Sequence, residues 1–464
     1  MPETKYDKTS VISILDYSKR LIGKSLADMV PSVNERTNAR NKGDLGTLVE
    51  RYYFEHSPPN NHDPDFKEAG LELKTTGVVA KNGKFRAKER LKLTMINYET
   101  IVDESWEEST LLNKCNLMLI LLYEFIKEVP VVERQFVLGP ILLQLSNESN
   151  TAKRQRSRKL SQQMFTISTA DREILKRDWE LIRQKVKDGK AHELSEGDTW
   201  YLAASRNGSG GEREVRRRQP NSNVKAKSRA FSLKQTYVNK LIEGDSNQSS
   251  TTLGVNRRIT FDDATQRRFE PFIGKSIDEI SEELDYFKTS PNYKGFNMDL
   301  AKRILASGGQ SVTELIKADI EMKTVVLEKS GFPKESMSFP GFKYLEIVAQ
   351  EWEESNFCEK VEKKFLMIVF RKDEFNVPRL MKPFYWNMPF DDRQEAKRVW
   401  LDTRRRVLQD AKDLPKLVES HVAHVRPKSR DGSDKELTPQ GDMLVKKCFW
   451  LNRKYIGLVI AENT

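Results

Sequence analysis

The chain has 464 residues, more than one hydrophobic core usually serves, so two or three domains are expected. Charged residues make up 32% and apolar ones 38%, with a net charge of +11, a balance that fits a water-facing protein with a polyanionic partner such as nucleic acid. No apolar run approaches the roughly 18 residues a membrane helix needs, and the opening "MPETKYDKTS" has no apolar signal region, so a cytoplasmic protein without membrane contact is expected.

In chain order, an opening helix is followed by a helix near 44–56, "GDLGTLVERYYF", which carries Glu50. Strands are expected at about 70–77, 89–97 and 116–122, the last inside the apolar run "LMLILLYEFI" (117–126). A long helix near 170–188 precedes strands near 199–204 and 229–234. Cys115, Cys358 and Cys448 lie far apart, and with five histidines they make no zinc spacing, so they read as reduced structural thiols.

The chain is also written twice. "LIGKSLADM" (21–29) returns as "FIGKSIDEI" (272–280), "GLELKTTG" (70–77) as "DIEMKTVV" (319–326), and "ESWEES" (104–109) as "QEWEES" (350–355). The "KRDW" ending at Trp179 matches the "KRVW" ending at Trp400, and "AFSLKQTYV" (230–238) matches "CFWLNRKYI" (448–456). Five correspondences in one order mark a duplication. Trp106, Trp179, Trp352 and Trp400 fall at matching places, which points to shared core packing. The polar stretch "GDSNQSSTTLG" (244–254) reads as a linker. The expected organisation is 1–243, a linker over 244–256, and 257–464. The fold class is α/β (mixed α+β), with two tandem domains that each flank a mixed central sheet with helices.

One strand carries chemistry. In "PDFKEAGLELK" (64–74), side chains two apart share a face, so Glu72 and Lys74 point one way while Leu71 and Leu73 point the other. Mg2+ prefers carboxylate oxygens with room left for water, and phosphodiester hydrolysis needs both charge stabilisation and an activated water. Asp65 and Glu72 suit a metal, Glu50 a second metal or the positioning of the first, and Lys74 the water or the phosphate oxygens. These residues alone also fit a solvated strand face with a salt bridge. The second copy keeps Glu321 and Lys323, but has Lys302 for Glu50 and Glu314 for Asp65.

Together with "KERLKLTMINYE" (88–99), "LKRDWELIRQKVKDGKAHELSEGDTWYL" (175–202) and "VKAKSRAFSLK" (224–234), these segments resemble the MutH family of PD-(D/E)xK nucleases. The duplicated layout resembles its GATC-cutting type II restriction branch, the second half standing as a degenerate copy. The resemblance implies a Mg2+ site at Glu50, Asp65, Glu72 and Lys74, with a further lysine at Lys88, or with neighbouring Arg90 in its register. It implies duplex DNA containing GATC as partner and a cognate DNA methyltransferase; with one active site per chain, double-strand cleavage predicts that two chains meet on DNA or that one chain acts twice. The alternatives are a mismatch-repair nicking endonuclease and a catalytically inert DNA-binding protein.

The basic stretch "REVRRRQPNSNVKAKSR" (213–229) reads as a loop suited to phosphates and guanine edges. Within it Lys225 and Lys227 suit phosphates, and Lys234 beyond it is a further DNA-binding candidate; the resemblance puts a base-reading arginine at Arg217 or Arg218, and Ser232 where the family has a base-contacting tyrosine. "AKRQRSRK" (152–159) reads as a basic surface arm. In the second half, Arg426, Lys428 and Arg430 occupy the matching loop, while His421 and His424 read as ordinary strand residues.

Overall fold

The computed structural model describes residues 5–35, 44–56, 63–146, 164–207, 215–244, 250–290, 293, 295–306, 311–428 and 432–464. The chain forms two compact units. The first comprises Met1–His192, Thr199–Arg206 and Arg217–Gln248, and the second Glu193–Asp198, Asn207–Arg216 and Ser249–Thr464.

The strands of the first unit are β1 (Glu72–Lys81), β2 (Lys84–Ala87), β3 (Leu91–Met95), β4 (Leu117–Glu124), β5 (Ile141–Gln144), β6 (Met164–Thr166), β7 (Leu202–Arg206), β8 (Arg216–Gln219), β9 (Ser222–Lys227) and β10 (Arg229–Leu233). A five-stranded mixed sheet runs β2-β1-β4-β5-β6, a second sheet runs β3-β10-β7, and β8 and β9 form a hairpin. β4 is apolar from Leu117 to Tyr123 and buried throughout that span, as expected for a strand covered on both faces. It pairs in parallel with β1, Glu72 opposite Met118 and Lys74 opposite Ile120.

The helix Thr169–Lys187 buries Ile174, Leu175, Asp178, Trp179, Ile182 and Val186 along one stripe, and Ser168 caps it by accepting from the Asp171 N–H. Asp178 binds its sheet from inside: its carboxylate accepts from the backbone N–H groups of Trp200 (2.8 Å), Tyr201 (2.6 Å) and Leu202 (2.9 Å). The turn after the helix needs Gly189, at φ +72°, because a Cβ there would run into the Asn221 carbonyl.

The second unit repeats the plan. Its strands are β11 (Ser250–Thr251), β12 (Ser311–Val312), β13 (Glu321–Leu327), β14 (Met337–Phe342), β15 (Lys364–Lys372), β16 (Pro378–Leu380), β17 (Phe384–Asn387), β18 (Ala423–Pro427), β19 (Lys435–Leu437), β20 (Met443–Val445) and β21 (Lys447–Leu451). β13 pairs in parallel with β15 as β1 does with β4, β14-β21-β18 answers β3-β10-β7, and the β19–β20 hairpin answers β8–β9. The mixed α+β domain thus occurs twice.

The tryptophans are core. Trp106 and Trp179 meet edge to face with centroids 5.9 Å apart, Trp352 and Trp400 at 5.8 Å, and all four are buried. Two expectations are corrected. The end of the expected linker is tied into the second unit: β11 pairs with β12, and Glu314 accepts from the Leu253 and Gly254 N–H groups. The basic "loop" from Arg216 is the β8–β9 hairpin, turning at Pro220–Asn221 with Asn221 at φ 57°. The basic arm 152–159 lies outside the described residues.

Candidate active site

Glu50 reaches the site from a π-turn, Val49–Tyr53, that follows the short helix Asp44–Leu48. This helix lies close on β1: a Cβ on Gly46 would come within 3.1 Å of Thr75 Oγ1. Asp65 and Glu72 are locked together by the backbone between them. The Asp65 N–H donates to Glu72 Oε2 at 3.0 Å, and the Leu73 N–H donates to Asp65 Oδ2 at 2.9 Å. Lys74, on the same strand face as Glu72, donates to Glu72 Oε1 at 2.7 Å.

The electrostatics are those of crowded acids. Burial, then the Asp65 and Glu72 charges, push the Glu50 carboxyl up to about 7. Burial also raises Glu72 against the pull of Lys74. For Lys74, burial opposes the charged form, yet Cys115, Glu72 and Asp65 outweigh it and raise its pKa. Because burial lifts the Cys115 thiol to about 12, it is the carboxylates that keep Lys74 charged near neutrality.

Three carboxylates partly out of water are of the donor type that a hard divalent cation prefers, and a cation's charge would favour the ionised form of Glu50. As the side chains stand, Glu72 gives one oxygen to Lys74 and the other to the Asp65 N–H. Among the described residues no three His, Cys, Asp or Glu side chains surround a common ion position.

The structure thus brings Glu50, Asp65, Glu72 and Lys74 together and places Lys88 elsewhere. The Lys88 ammonium lies 3.2 Å from the Phe125 ring centroid, and its N–H donates to the Gly77 carbonyl at 2.9 Å, along β1 from the acids. The second lysine beside the carboxylates is Lys114, from the helix Thr110–Cys115, with Nζ 3.7 Å from Glu72 Oε1. The repeat signals it: Lys114 follows Trp106 by the same eight residues that separate Lys360 from Trp352. Lys92 on β3 is a further cation at the site's edge, its pKa lowered by desolvation and by Lys74.

Of the expected DNA contacts, Arg217, Arg218 and Lys225 are exposed on the hairpin and Lys227 is half-buried. The hairpin is held firmly: Gln219 accepts from the Ala191 N–H at 2.7 Å and donates to the Val224 carbonyl at 2.5 Å, and Asn221 donates to the Lys187 carbonyl at 2.8 Å. Ser232 and Lys234 are corrected. Ser232 is buried with its hydroxyl 2.5 Å from that of Ser205, and buried Lys234 donates to the Thr199 carbonyl at 2.9 Å, so neither faces a ligand. In the second unit, Arg426 is exposed, Lys428 donates to the Phe339 carbonyl at 2.7 Å, and Arg430 lies outside the described residues. His424 is a buried residue of β18, whereas His421 is exposed and precedes that strand.

The second unit's copy of the charged strand is neutralised. Glu321 lies between Lys323 at 2.8 Å and Lys360 at 2.7 Å. Burial alone would raise its carboxyl, but hydrogen bonds from the two ammonium groups hold it below the usual range. Among the described residues no helix is long and apolar enough to cross a membrane.

Comparison with known proteins gives the same two-part picture. A family model described as DNA mismatch repair enzyme MutH matches residues 54–178 and 305–398, one stretch in each unit. The type II restriction enzyme Sau3AI of Staphylococcus aureus is 32% identical, over 96% of this chain and 97% of that enzyme. The DNA mismatch repair protein MutH of Shewanella woodyi is 25% identical over 41% of this chain and 73% of its own length. With a relative matched over nearly its whole length and MutH-like sequence in both units, this chain belongs to the MutH-like family of type II restriction enzymes.

Proposed function

We propose that the protein is a type II restriction endonuclease that hydrolyses duplex DNA at GATC with Mg2+, using the first unit for cleavage and the second to bind another DNA site as an effector. The observation that carries the reading is the group of acids on and around β1, where Glu50 holds its proton up to about 7. Glu50, Asp65 and Glu72 are the residues that would hold the cation, which when bound supplies positive charge at the scissile phosphate.

The chain's own residues do the positioning. Lys74, 2.7 Å from Glu72, is in place to orient the attacking water or a phosphoryl oxygen, and Lys114 adds a second ammonium beside Glu72. The water oxygen forms the new P–O bond and gives up a proton to solvent, one bridging P–O bond breaks, and the departing sugar oxygen takes up a proton from solvent. The rigid hairpin supplies Arg217 and Arg218 for guanine edges, and Lys225 and Lys227 for phosphates.

One cutting unit per chain serves one strand at a time, so double-strand cleavage calls for two chains meeting on DNA or one chain acting twice. A cognate DNA methyltransferase in the cytoplasm would protect the cell's own GATC sites. The test is incubation with plasmid in Mg2+ and in Ca2+. Discrete double-strand fragments ending at GATC in Mg2+, with binding alone in Ca2+, support the reading. Nicks alone, or binding without cutting in both ions, contradict it.

A further inference from the structure

The two units differ sharply where the sheets β3-β10-β7 and β14-β21-β18 correspond. On β10, Ser232 pairs with Ala203 of β7, and on β21 the matching Trp450 pairs with His424 of β18. Two residues along the partner strands stand Ser205 in the first unit and Arg426 in the second. The first unit fills these two places with the buried Ser205–Ser232 hydroxyl pair. The second fills them with an exposed arginine whose guanidinium carbon lies 3.8 Å from the centroid of the half-buried Trp450 ring. The Trp450 indole N–H donates to the Arg426 carbonyl at 3.3 Å, so backbone and side chain of the pair are tied together.

The hairpins differ in the opposite sense. From Arg217 to Arg229 the first unit carries Arg217, Arg218, Lys225, Lys227 and Arg229, with no acid. In the second, Asp434, Glu436 and Asp442 accompany Lys435 and Lys446, and Lys446 is paired to Glu436 at 3.3 Å and to Asp434 at 3.7 Å. That hairpin mixes acids among its cations, where the first has none.

We infer that the Arg426–Trp450 pair is the duplex-DNA-reading element of the second unit, with the guanidinium held ready for a base edge in place of the hairpin arginines of the first unit. This rests on the reading of the second unit as a DNA-binding effector. An arginine is planar and forked, so it can donate two parallel hydrogen bonds to guanine, and a stacked guanidinium loses less freedom on binding than a free one. Both Arg426 and Lys428 are exposed at that strand end, but the Lys428 ammonium donates to the Phe339 carbonyl while the Arg426 guanidinium lies on the Trp450 ring.

The test measures binding of the full chain, made cleavage-incompetent by Asp65→Ala, to GATC duplexes and base-scrambled duplexes, counting duplexes bound per chain. The parent is expected to bind two GATC duplexes. Arg426→Lys keeps the charge and loses the fork, so the second binding event should lose roughly 10- to 100-fold of its preference for GATC with its salt dependence unchanged. Trp450→Ser should weaken the same event with Arg426 still present. Far-ultraviolet dichroism and thermal melting check that each variant is folded; a misfolded Trp450→Ser leaves the decision to Arg426→Lys. Two duplexes bound with undiminished preference by Arg426→Lys would overturn the inference while sparing the effector reading. One duplex bound by the parent would overturn the effector reading and the inference with it.

Discussion

Two strands, β1 and β13, carry the same Glu-x-Lys pattern, and the protein treats their glutamates in opposite ways. Glu72 has one ammonium at 2.7 Å and a second only at 3.7 Å, and burial, with the Asp65 charge beside it, raises its carboxyl. Glu321 has ammonium groups at 2.8 and 2.7 Å and its carboxyl is lowered. Glu314, in the place of Asp65, is turned to the backbone of Leu253 and Gly254, and Lys302, in the place of Glu50, is half-exposed and only 3.7 Å from Asp299. The motif and the number of neighbouring ammonium groups are the same; what differs is that burial prevails at Glu72, whose second ammonium is 3.7 Å away, while two close ammonium groups prevail over burial at Glu321.

The strongest way to break this comparison is to remove a first-unit acid and its counterpart. Asp65→Ala or Lys74→Ala should lower the rate of GATC cleavage by about 1,000-fold or more with DNA binding retained, whereas Glu321→Ala should leave cleavage of single-site duplexes within about twofold. A comparable collapse in Glu321→Ala would show the second unit to be catalytic. Lys114→Ala should cost about 10- to 100-fold in single-turnover rate with little change in duplex affinity, since it adds a charge beside Glu72 rather than a ligand. An unchanged rate would remove Lys114 from the site.

The pH dependence follows from Glu50. Its carboxyl keeps a proton up to about 7 and a cation competes with that proton, so divalent-ion affinity should rise about tenfold per pH unit below 7 and level off above it. Titrations at pH 6, 7 and 8 that show no slope, or a slope that survives Glu50→Gln, would contradict this. The smallest expected effects are on stability, and their signs differ between the units. Glu50 has a folded pKa above its unfolded value, so its contribution is present at low pH and is lost as pH rises through about 7; without metal at pH 8, Glu50→Gln should stabilise the chain by on the order of 1 kcal/mol. Glu321 is depressed, so its contribution is present above its unfolded pKa and is lost as pH falls; Glu321→Gln at pH 7 should destabilise by on the order of 1 kcal/mol. Melting curves at the two pH values would show whether the signs are opposite.

Much of this was legible in sequence because both duplicated copies obey the same patterning. The period of two put Glu72 and Lys74 on one face, the unbroken apolar run announced β4, and the matched tryptophans announced two cores. The lysines were harder to read. Lys88, Lys114 and Lys234 are all basic residues of the first half, and only the fold separates one stacked on Phe125 from one beside Glu72 and one buried on the Thr199 carbonyl. A long flexible stem lets each ammonium find a partner several ångströms from its backbone, so sequence position says little about its use. The hairpin was hidden for another reason: a strand pair rich in arginine has no apolar alternation, and only Asn221 at positive φ marks its turn. The resemblance points to Ser232 as a base contact, but packing turns its hydroxyl to that of Ser205.

We propose that the acids of the first unit need a cation and those of the second do not. Calorimetric titration of Ca2+ into the parent chain, Asp65→Ala and Glu321→Ala at pH 8 tests it most directly. The account predicts a binding event in the parent, its loss in Asp65→Ala and its retention in Glu321→Ala. Retention in Asp65→Ala, or loss in Glu321→Ala, would contradict it.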